Sequence, residues 1–372
     1  GGRTLLKLGN VLPEGIVAES WEVSCHPDGE SIICNGKFKG MPLSEFINEF
    51  QYEVMGTGTY WKPGDRFPLL VKLIDANNKL SVQVHPDDKY AALHENDKSG
   101  KNEMWYIIWA KPGSKLVYGL KSNTTKEKFK KALENGSIEE YLNYIDVFEG
   151  DTINIPAGMV HAIGEGMLLA EVQQNSNNTY RVYDYDRVDK DGNKRPLHIR
   201  KALDVIHFSG MDEYGKSRGL NVRINDDCKV TKLVENKYFS VELYRINGEI
   251  EEIADGSRFH IYLFIEGEGV ISYGFGGCLN GNMVKGGCSS ERSNIEGGNG
   301  ERNNNKGSNS KDSSSKGGNC EGRRKEAEYF GEKMNIKGGE TIFIPASMGK
   351  YKISGNIRGI KTYVPDLEHV RT

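Results

Sequence analysis

Three polar side chains alternate with valines in "SVQVHPDDKY", residues 81–90. Successive side chains of a strand point to opposite faces, so Ser81, Gln83 and His85 share one face. Leu80, Val82 and Val84 form an apolar row on the other, and Pro86 ends the strand. Facing water, the polar row would be half of an ordinary sheet. Facing inward, it would bring a hydroxyl, a carboxamide and an imidazole to one cavity. A second imidazole, His161, follows the strand-like "GDTINIPAG", and a carboxylate, Glu103, opens "EMWYIIWA". Two imidazoles and a carboxylate can hold Zn²⁺ with a position left open, and the same set serves as the facial triad of an Fe(II) oxygenase. Gln83 could add an oxygen ligand. These positions are scattered, so only a fold that gathers strand ends makes them a site.

A second set of candidates is charged. Lys72 interrupts the apolar run "LLVKLIDA"; burying it unpaired would cost several kcal/mol, so an anionic partner is expected. Lys101 precedes Glu103 by two residues, Arg181 and Arg187 lie in "NNTYRVYDYDR", and Glu171 lies in "LLAEVQQ". For each exposed cation the plain alternative is a stem lying along the surface. For Glu171 it is a structural salt bridge.

The elements that must position these groups are mostly short strands. "FPLLVKLIDA" and "EMWYIIWA" are rich in β-branched and aromatic residues. Helical signals cluster near 124–145. Thr124 and Glu127 form a capping-box pattern in "TTKEKFKKALENG", which closes on Asn135-Gly136. Ser137 and Glu140 repeat the device, and Asp87 or Asp88 caps a further short helix. "GDTINIPAG" at Gly150 returns as "GETIFIPAS" at Gly339, most positions being identical, which predicts two related β domains. Five residues past Pro156 stands His161, whereas five past Pro345 stands Lys350. The ligand belongs to one copy only.

At 372 residues two domains are expected, 1–215 and 216–372. From about 275 to 324 the composition collapses into Gly, Asn, Ser and Lys, which reads as a flexible insertion in a hairpin loop. With 49 basic and 52 acidic residues, no affinity for nucleic acid or anionic membranes is expected. No apolar run reaches a membrane span, and no signal peptide is visible. The chain begins without methionine, so a segment before Gly1 is possible. Six scattered cysteines without a C-x-x-C pair read as reduced thiols of a cytoplasmic protein.

"PLLVKLIDANNKLSVQVHPDD", "GKNEMWYII", "GDTINIPAGMVHAIGEG" and "EVQQNSNNTYRVYDYDR" together resemble the signature segments of type I mannose-6-phosphate isomerases, in their shorter bacterial form. The likeness runs from residue 1 to about His207 and more weakly beyond. It implies a mainly β fold of two cupin-like (jelly-roll) β-barrels with a few short helices, the first barrel catalytic and the second degenerate. Gly150, Pro156, Gly158 and His161 satisfy the generic cupin loop G-x5-P-x-G-x2-H. Gln83 stands where the first cupin motif usually has histidine, a departure the isomerases share.

The resemblance implies one zinc per chain on Gln83, His85, Glu103 and His161, with Arg181 in the active site. It implies phosphate binding by Lys72 and Ser81, with Arg187 where some relatives have lysine; Lys101 joins these as a substrate-binding candidate. The implied reaction interconverts mannose 6-phosphate and fructose 6-phosphate through an enediolate, in a cytoplasmic monomer or homodimer whose partner is a small phosphorylated sugar. Glu171 and the histidines remain candidates for the base. A non-catalytic sugar-phosphate-binding cupin and an Fe(II) cupin oxygenase are the alternatives.

Overall fold

Strands form where the β-branched and aromatic runs predict them, and they assemble into two sheets that close on each other. The computed structural model describes residues 2–9, 14–189, 191–208, 215–274 and 331–366, and the backbone of 284–286. Besides the small strand pair Cys25–His26 and Gly29–Glu30, ten described strands between residues 19 and 183 build the two sheets of the first unit. They are β1 (Glu19–Val23), β2 (Leu69–Ala76), β3 (Val82–Val84), β4 (Glu103–Ala110) and β5 (Lys115–Leu120). β6 (Leu142–Asp146), β7 (Thr152–Ile155), β8 (His161–Ala162), β9 (Met167–Gln174) and β10 (Tyr180–Tyr183) complete it. One sheet has the order β1-β2-β9-β4-β7, edged by Lys216–Ser217; the other runs β10-β3-β8-β5-β6. All described pairings within both are antiparallel.

The first sheet is buried on both faces, which is why β2 and β9 read as continuous apolar runs rather than alternations. Its inner face contributes Ile74, Trp105, Ile107 and Leu169 to a cluster shared with Leu116, Tyr118 and Ile155. Its outer face contributes Val71, Leu73, Met104, Tyr106 and Val172 to a larger cluster with Phe239, Phe259, Ile261 and Phe343 of the second half. Each such side chain stabilises the fold by roughly 1.5–3 kcal/mol on burial.

In the second sheet Val82 and Val84 pack outward under Phe129 and Ala202 of two helices. That turns Ser81, Gln83 and His85 toward the interior, answering the question their alternation raises. Leu80 does not continue the valine row: the strand is only three residues long, and Leu80 packs with the inner cluster.

From Leu220 onward the described strands join one nine-stranded sheet with its own core around Tyr262, Phe264, Ile342 and Ile353. Lys216–Ser217 pairs instead with Thr152 and Ile153 of the first unit. The repeated segments form matching strands, Thr152–Ile155 and Thr341–Ile344, each entered through a left-handed glycine: Gly150 at φ 84° and Gly339 at φ 82°. Lys350, the counterpart of His161, is exposed. His260–Tyr273 and Glu332–Lys337 are neighbouring antiparallel strands, as expected of the segments flanking the insertion. The insertion itself, with Cys278, Cys288 and Cys320, lies outside the described residues apart from the backbone of 284–286. Cys25 and Cys228 are free thiols.

Helix signals locate their elements to within a residue or a turn. The helix Lys126–Asn135 is capped by Thr125, which accepts from Lys128 N at 3.3 Å; Thr124 donates instead to the Lys121 carbonyl. Gly136 terminates it in the left-handed region, as Asn135-Gly136 predicts. Asp87 caps Asp88–His94 through Tyr90 N. The Ser137 device yields only a 3₁₀ turn, Ile138–Tyr141, without a side-chain cap, because the next residues are drawn into β6. Leu43–Phe50 is a helix the capping signals do not announce, since its cap is Pro42; the spacing of Leu43, Phe46, Ile47 and Phe50 is its signature.

Candidate metal centre

His161, Gln83 and Arg181 sit side by side across three strands of the second sheet, because Gln83 pairs with His161 on one side and with Arg181 on the other. His85 follows two residues after Gln83, just past the end of β3. Glu103 reaches the same point from the first sheet, where β4 begins. The ligand atoms of His85, Glu103 and His161 all lie within 4.8 Å of one another, and all three residues are buried. His85 Nε2 is 3.2 Å from Glu103 Oε1, and His161 Nε2 is 3.8 Å from Oε2. The Gln83 amide lies 3.3 Å from His161 Nε2. A carboxamide offers nitrogen or, after a half-turn, oxygen at the same place.

The tautomers follow from the second shell. His85 Nδ1 meets the Asn178 carbonyl at 2.9 Å, and His161 Nδ1 meets the Met159 carbonyl at 2.9 Å. A carbonyl only accepts, so each Nδ1 carries the proton and each Nε2 turns a lone pair inward. Burial, followed by the neighbouring His85, pushes His161 down to about 3. Burial and then Lys101 likewise lower His85. Burial alone would raise Glu103, but Lys101 and the imidazoles outweigh it and hold the carboxyl well below its usual range. Glu103 Oε1 is met by the Lys101 ammonium at 2.7 Å, while Oε2 has no hydrogen-bond donor. Two neutral imidazole lone pairs and a buried carboxylate short of donors fit a divalent cation.

The lysines have anionic neighbours within the chain. Lys72 Nζ is 3.5 Å from Glu19 Oε2, 3.7 Å from Glu171 Oε2 and 4.8 Å from the Trp21 ring centre. This is the anionic partner the sequence demanded, supplied internally. Burial disfavours its charge, yet Glu19 and Glu171 raise its pKa. Lys101 Nζ is 2.7 Å from Glu103 Oε1 and 3.5 Å from His85 Nε2. Glu171 is pushed up to about 7 by burial and by Glu103, while Lys72 and Lys101 pull against them. Trp105 donates to Glu171 Oε1 at 2.8 Å, and its ring meets His161 edge-on.

Arginines gather at the other end of the row. Arg181 Nε donates to Ser81 Oγ at 3.3 Å and Nη1 to the Pro196 carbonyl at 3.1 Å. Arg187 and Arg195 share the buried Asp184 carboxylate, Arg195 through Nε at 2.8 Å and Nη2 at 2.6 Å. Burial and then Arg195 lower the Arg181 pKa, so the local potential is positive. Three guanidiniums against one carboxylate leave an anion-seeking surface. Asp184 and Arg195 were not among the sequence candidates. The D-G-N turn in "VDKDGNKR", which folds Lys194 back on Val188, is the signal that places Arg195 here.

Comparison with known proteins gives a consistent picture. A family model described as "Phosphomannose isomerase type I, catalytic domain" matches residues 10–131. The chain is 40% identical over 269 residues to mannose-6-phosphate isomerase ManA of Bacillus subtilis, covering 72% of this chain and 82% of that one. It is 36% identical over 274 residues to the mannose-6-phosphate isomerase of Streptococcus mutans, covering 74% and 83%. The crystal structure of a Bacillus subtilis mannose 6-phosphate isomerase matches with a TM-score of 0.75 at 31% identity, over 97% of this chain and 95% of that chain. A mutant phosphomannose isomerase from Salmonella typhimurium matches in fold alone, with a TM-score of 0.64 at 15% identity, over 98% of this chain and 96% of that chain.

Proposed function

The chain belongs to the type I mannose-6-phosphate isomerase family, and from that premise we infer that it interconverts mannose 6-phosphate and fructose 6-phosphate. One observation supports the reading most: His85, Glu103 and His161 converge within 4.8 Å in the interior of the first barrel. Zinc held by these three and Gln83 would supply Lewis-acid polarisation of the sugar oxygens.

The rest falls to the chain's own residues. A proton must move between C2 and C1, and a carbon acid beside a carbonyl needs its developing negative charge stabilised. Arg181, next to Gln83 on the strand row, is suited to that charge because a guanidinium cannot give up its proton at neutral pH. Glu171, on the inner face of the first sheet and poised at about 7, is suited to proton transfer near the operating pH. Lys72 then holds the Glu171 carboxylate rather than a phosphate. The phosphate falls to the Ser81 hydroxyl and to Arg187 and Arg195, two guanidiniums that share the single Asp184 carboxylate. Binding that remote group fixes the carbon chain over the metal centre. A sugar phosphate as substrate puts the enzyme in the cytoplasm.

The test is a coupled assay for fructose 6-phosphate formed from mannose 6-phosphate, on protein as purified, stripped by chelator, and reloaded with zinc. Turnover that vanishes on stripping and returns with zinc is expected. Undiminished turnover after complete metal removal overturns the metal assignment. No turnover at any loading, with mannose 6-phosphate still bound, leaves a sugar-phosphate sensor.

A further inference from the structure

The metal ligands come from three separate segments, and the loop 99–102, which leads directly into Glu103, touches the other two. The Ser99 carbonyl accepts from the Asn178 side chain at 2.9 Å, and the Asn178 carbonyl in turn orients the His85 ring. Gly100 N donates to Asp88 Oδ1 at 3.0 Å and Lys101 N to the Pro86 carbonyl at 3.0 Å, so the loop lies along the residues that follow His85. The approach is close: a Cβ at Gly100 would fall 2.5 Å from Asp88 N. Asn102 Oδ1 accepts from Ala157 N at 3.0 Å, in the loop that leads to His161.

Asn102 is the centre of this arrangement. Its Nδ2 donates to Gln174 Oε1 at 2.7 Å, and its own N–H reaches the same oxygen at 3.0 Å. Gln174 Nε2 then donates to Asp88 Oδ1 at 3.0 Å. A backbone N–H can only donate, so Ala157 N and Asn102 N fix which way both carboxamides face. The row Asn102, Gln174, Asp88 therefore has one arrangement, and it joins the segments that carry His85, Glu103 and His161.

This row ends in the second half of the molecule. Tyr238 Oη donates to Asp88 Oδ2 at 2.5 Å, and Lys237 stands 3.9 Å from the same carboxylate. Tyr238 belongs to the turn 236–239, which Asn236 Oδ1 closes by accepting from Tyr238 N at 2.8 Å and Phe239 N at 3.0 Å. Phe239 is fully buried in the core shared with the first sheet. An anchored turn thus delivers one hydroxyl to Asp88. We propose that Asn102 is a positioning residue of the metal centre, and that the second half keeps it in place through Tyr238 and Asp88. The proposal rests on the metal centre described above. Ligands drawn from three segments bind an ion tightly only when the segments are held at a fixed spacing before it arrives. The second half, where Lys350 stands in place of the ligand histidine, thereby takes part in the chemistry of the first.

Zinc itself is the probe, with Co²⁺ as its spectroscopic stand-in, on the full chain stripped by chelator. Asn102→Ala leaves Ala157 N without its acceptor and should weaken zinc binding roughly tenfold, the low end of the effect of groups that surround a metal site. The visible bands of the Co²⁺ form should shift with it, since they follow ligand geometry. Tyr238→Phe removes one hydroxyl and keeps the ring. Acting at a further remove, it should weaken zinc binding roughly threefold, and it serves if Asn102→Ala does not fold. Melting of the stripped proteins separates out a merely structural role, which would lower thermal stability and leave zinc affinity and the cobalt bands as in the parent. That result in either folded variant overturns the proposal. A parent chain that takes up neither zinc nor cobalt overturns the metal centre itself, and the proposal with it.

Discussion

At the scale of residues, the inner surface of the first barrel is an exercise in charge balance. His85 and His161 reach the centre from one sheet and Glu103 from the other, each offering one ligand atom. His161→Ala should therefore lower metal affinity by roughly a hundredfold or more, since even second-shell changes cost 10–100-fold. Elemental analysis after dialysis measures this, with circular dichroism to show that the barrel persists. Full occupancy and activity in the variant would remove His161 from the centre. Lys72 makes the opposite point. It is 5% exposed between Glu19 and Glu171, so Lys72→Met strands the buried Glu171 carboxylate and the half-buried Glu19 and should destabilise the protein by about 3 kcal/mol. Denaturant unfolding checks it. A variant of native stability with only weaker sugar-phosphate binding would make Lys72 a phosphate ligand after all.

At the scale of elements, the loop from Pro156 to His161 decides whether the second imidazole arrives. Its turn needs Gly158, which stands at φ 86° and donates its N–H to the His85 carbonyl at 2.9 Å. The loop is thereby tied to the strand that carries the first imidazole. A Cβ at 158 would fall 2.7 Å from the His207 ring. Gly158→Ala should cost roughly 1–2 kcal/mol from the left-handed backbone alone, and more as the ring is displaced. Because the displacement acts on both ligand-bearing segments, zinc retention should fall further than thermal stability does. Zinc titration beside a melting curve compares the two. Unchanged zinc affinity would mean that His161 is positioned by its neighbours in the sheet and not by this loop.

At the scale of the whole molecule, the second half backs the catalytic sheet. Phe259 and Phe343 stack and join the outer face of that sheet in one continuous core. At this junction Glu22 is fully buried; Oε2 accepts from Thr341 Oγ1 at 3.0 Å, and Oε1 has no partner. Burial raises its pKa above 4.5, against the weaker pull of its hydrogen bonds. In the window between the unfolded and folded values the native state binds the extra proton, so stability falls as pH rises. Glu22→Gln removes this titration. The melting temperature of the variant relative to the parent should rise on going from acid to neutral pH. A difference that does not change with pH would show that Glu22 does not titrate between the two states. Among the described residues no helix is long and apolar enough to cross a membrane.

The sequence alone determined the β class, the duplicated Gly-strand-Pro unit and the shared face of Ser81, Gln83 and His85, and grouped Gln83 and His85 with Glu103 and His161 through family resemblance. Such signals are legible because alternation, turn glycines and strand-ending prolines act over a few neighbouring residues. Tertiary structure alone decided that Lys72 is met by Glu19 and Glu171, that Arg195 returns to Asp184, and that Val82 and Val84 face the helices and so turn the polar row inward. Each of these depends on which group lies within a few ångströms. That is set by how sheets stack, and partners as far apart as Lys72 and Glu171 leave no local trace of their meeting.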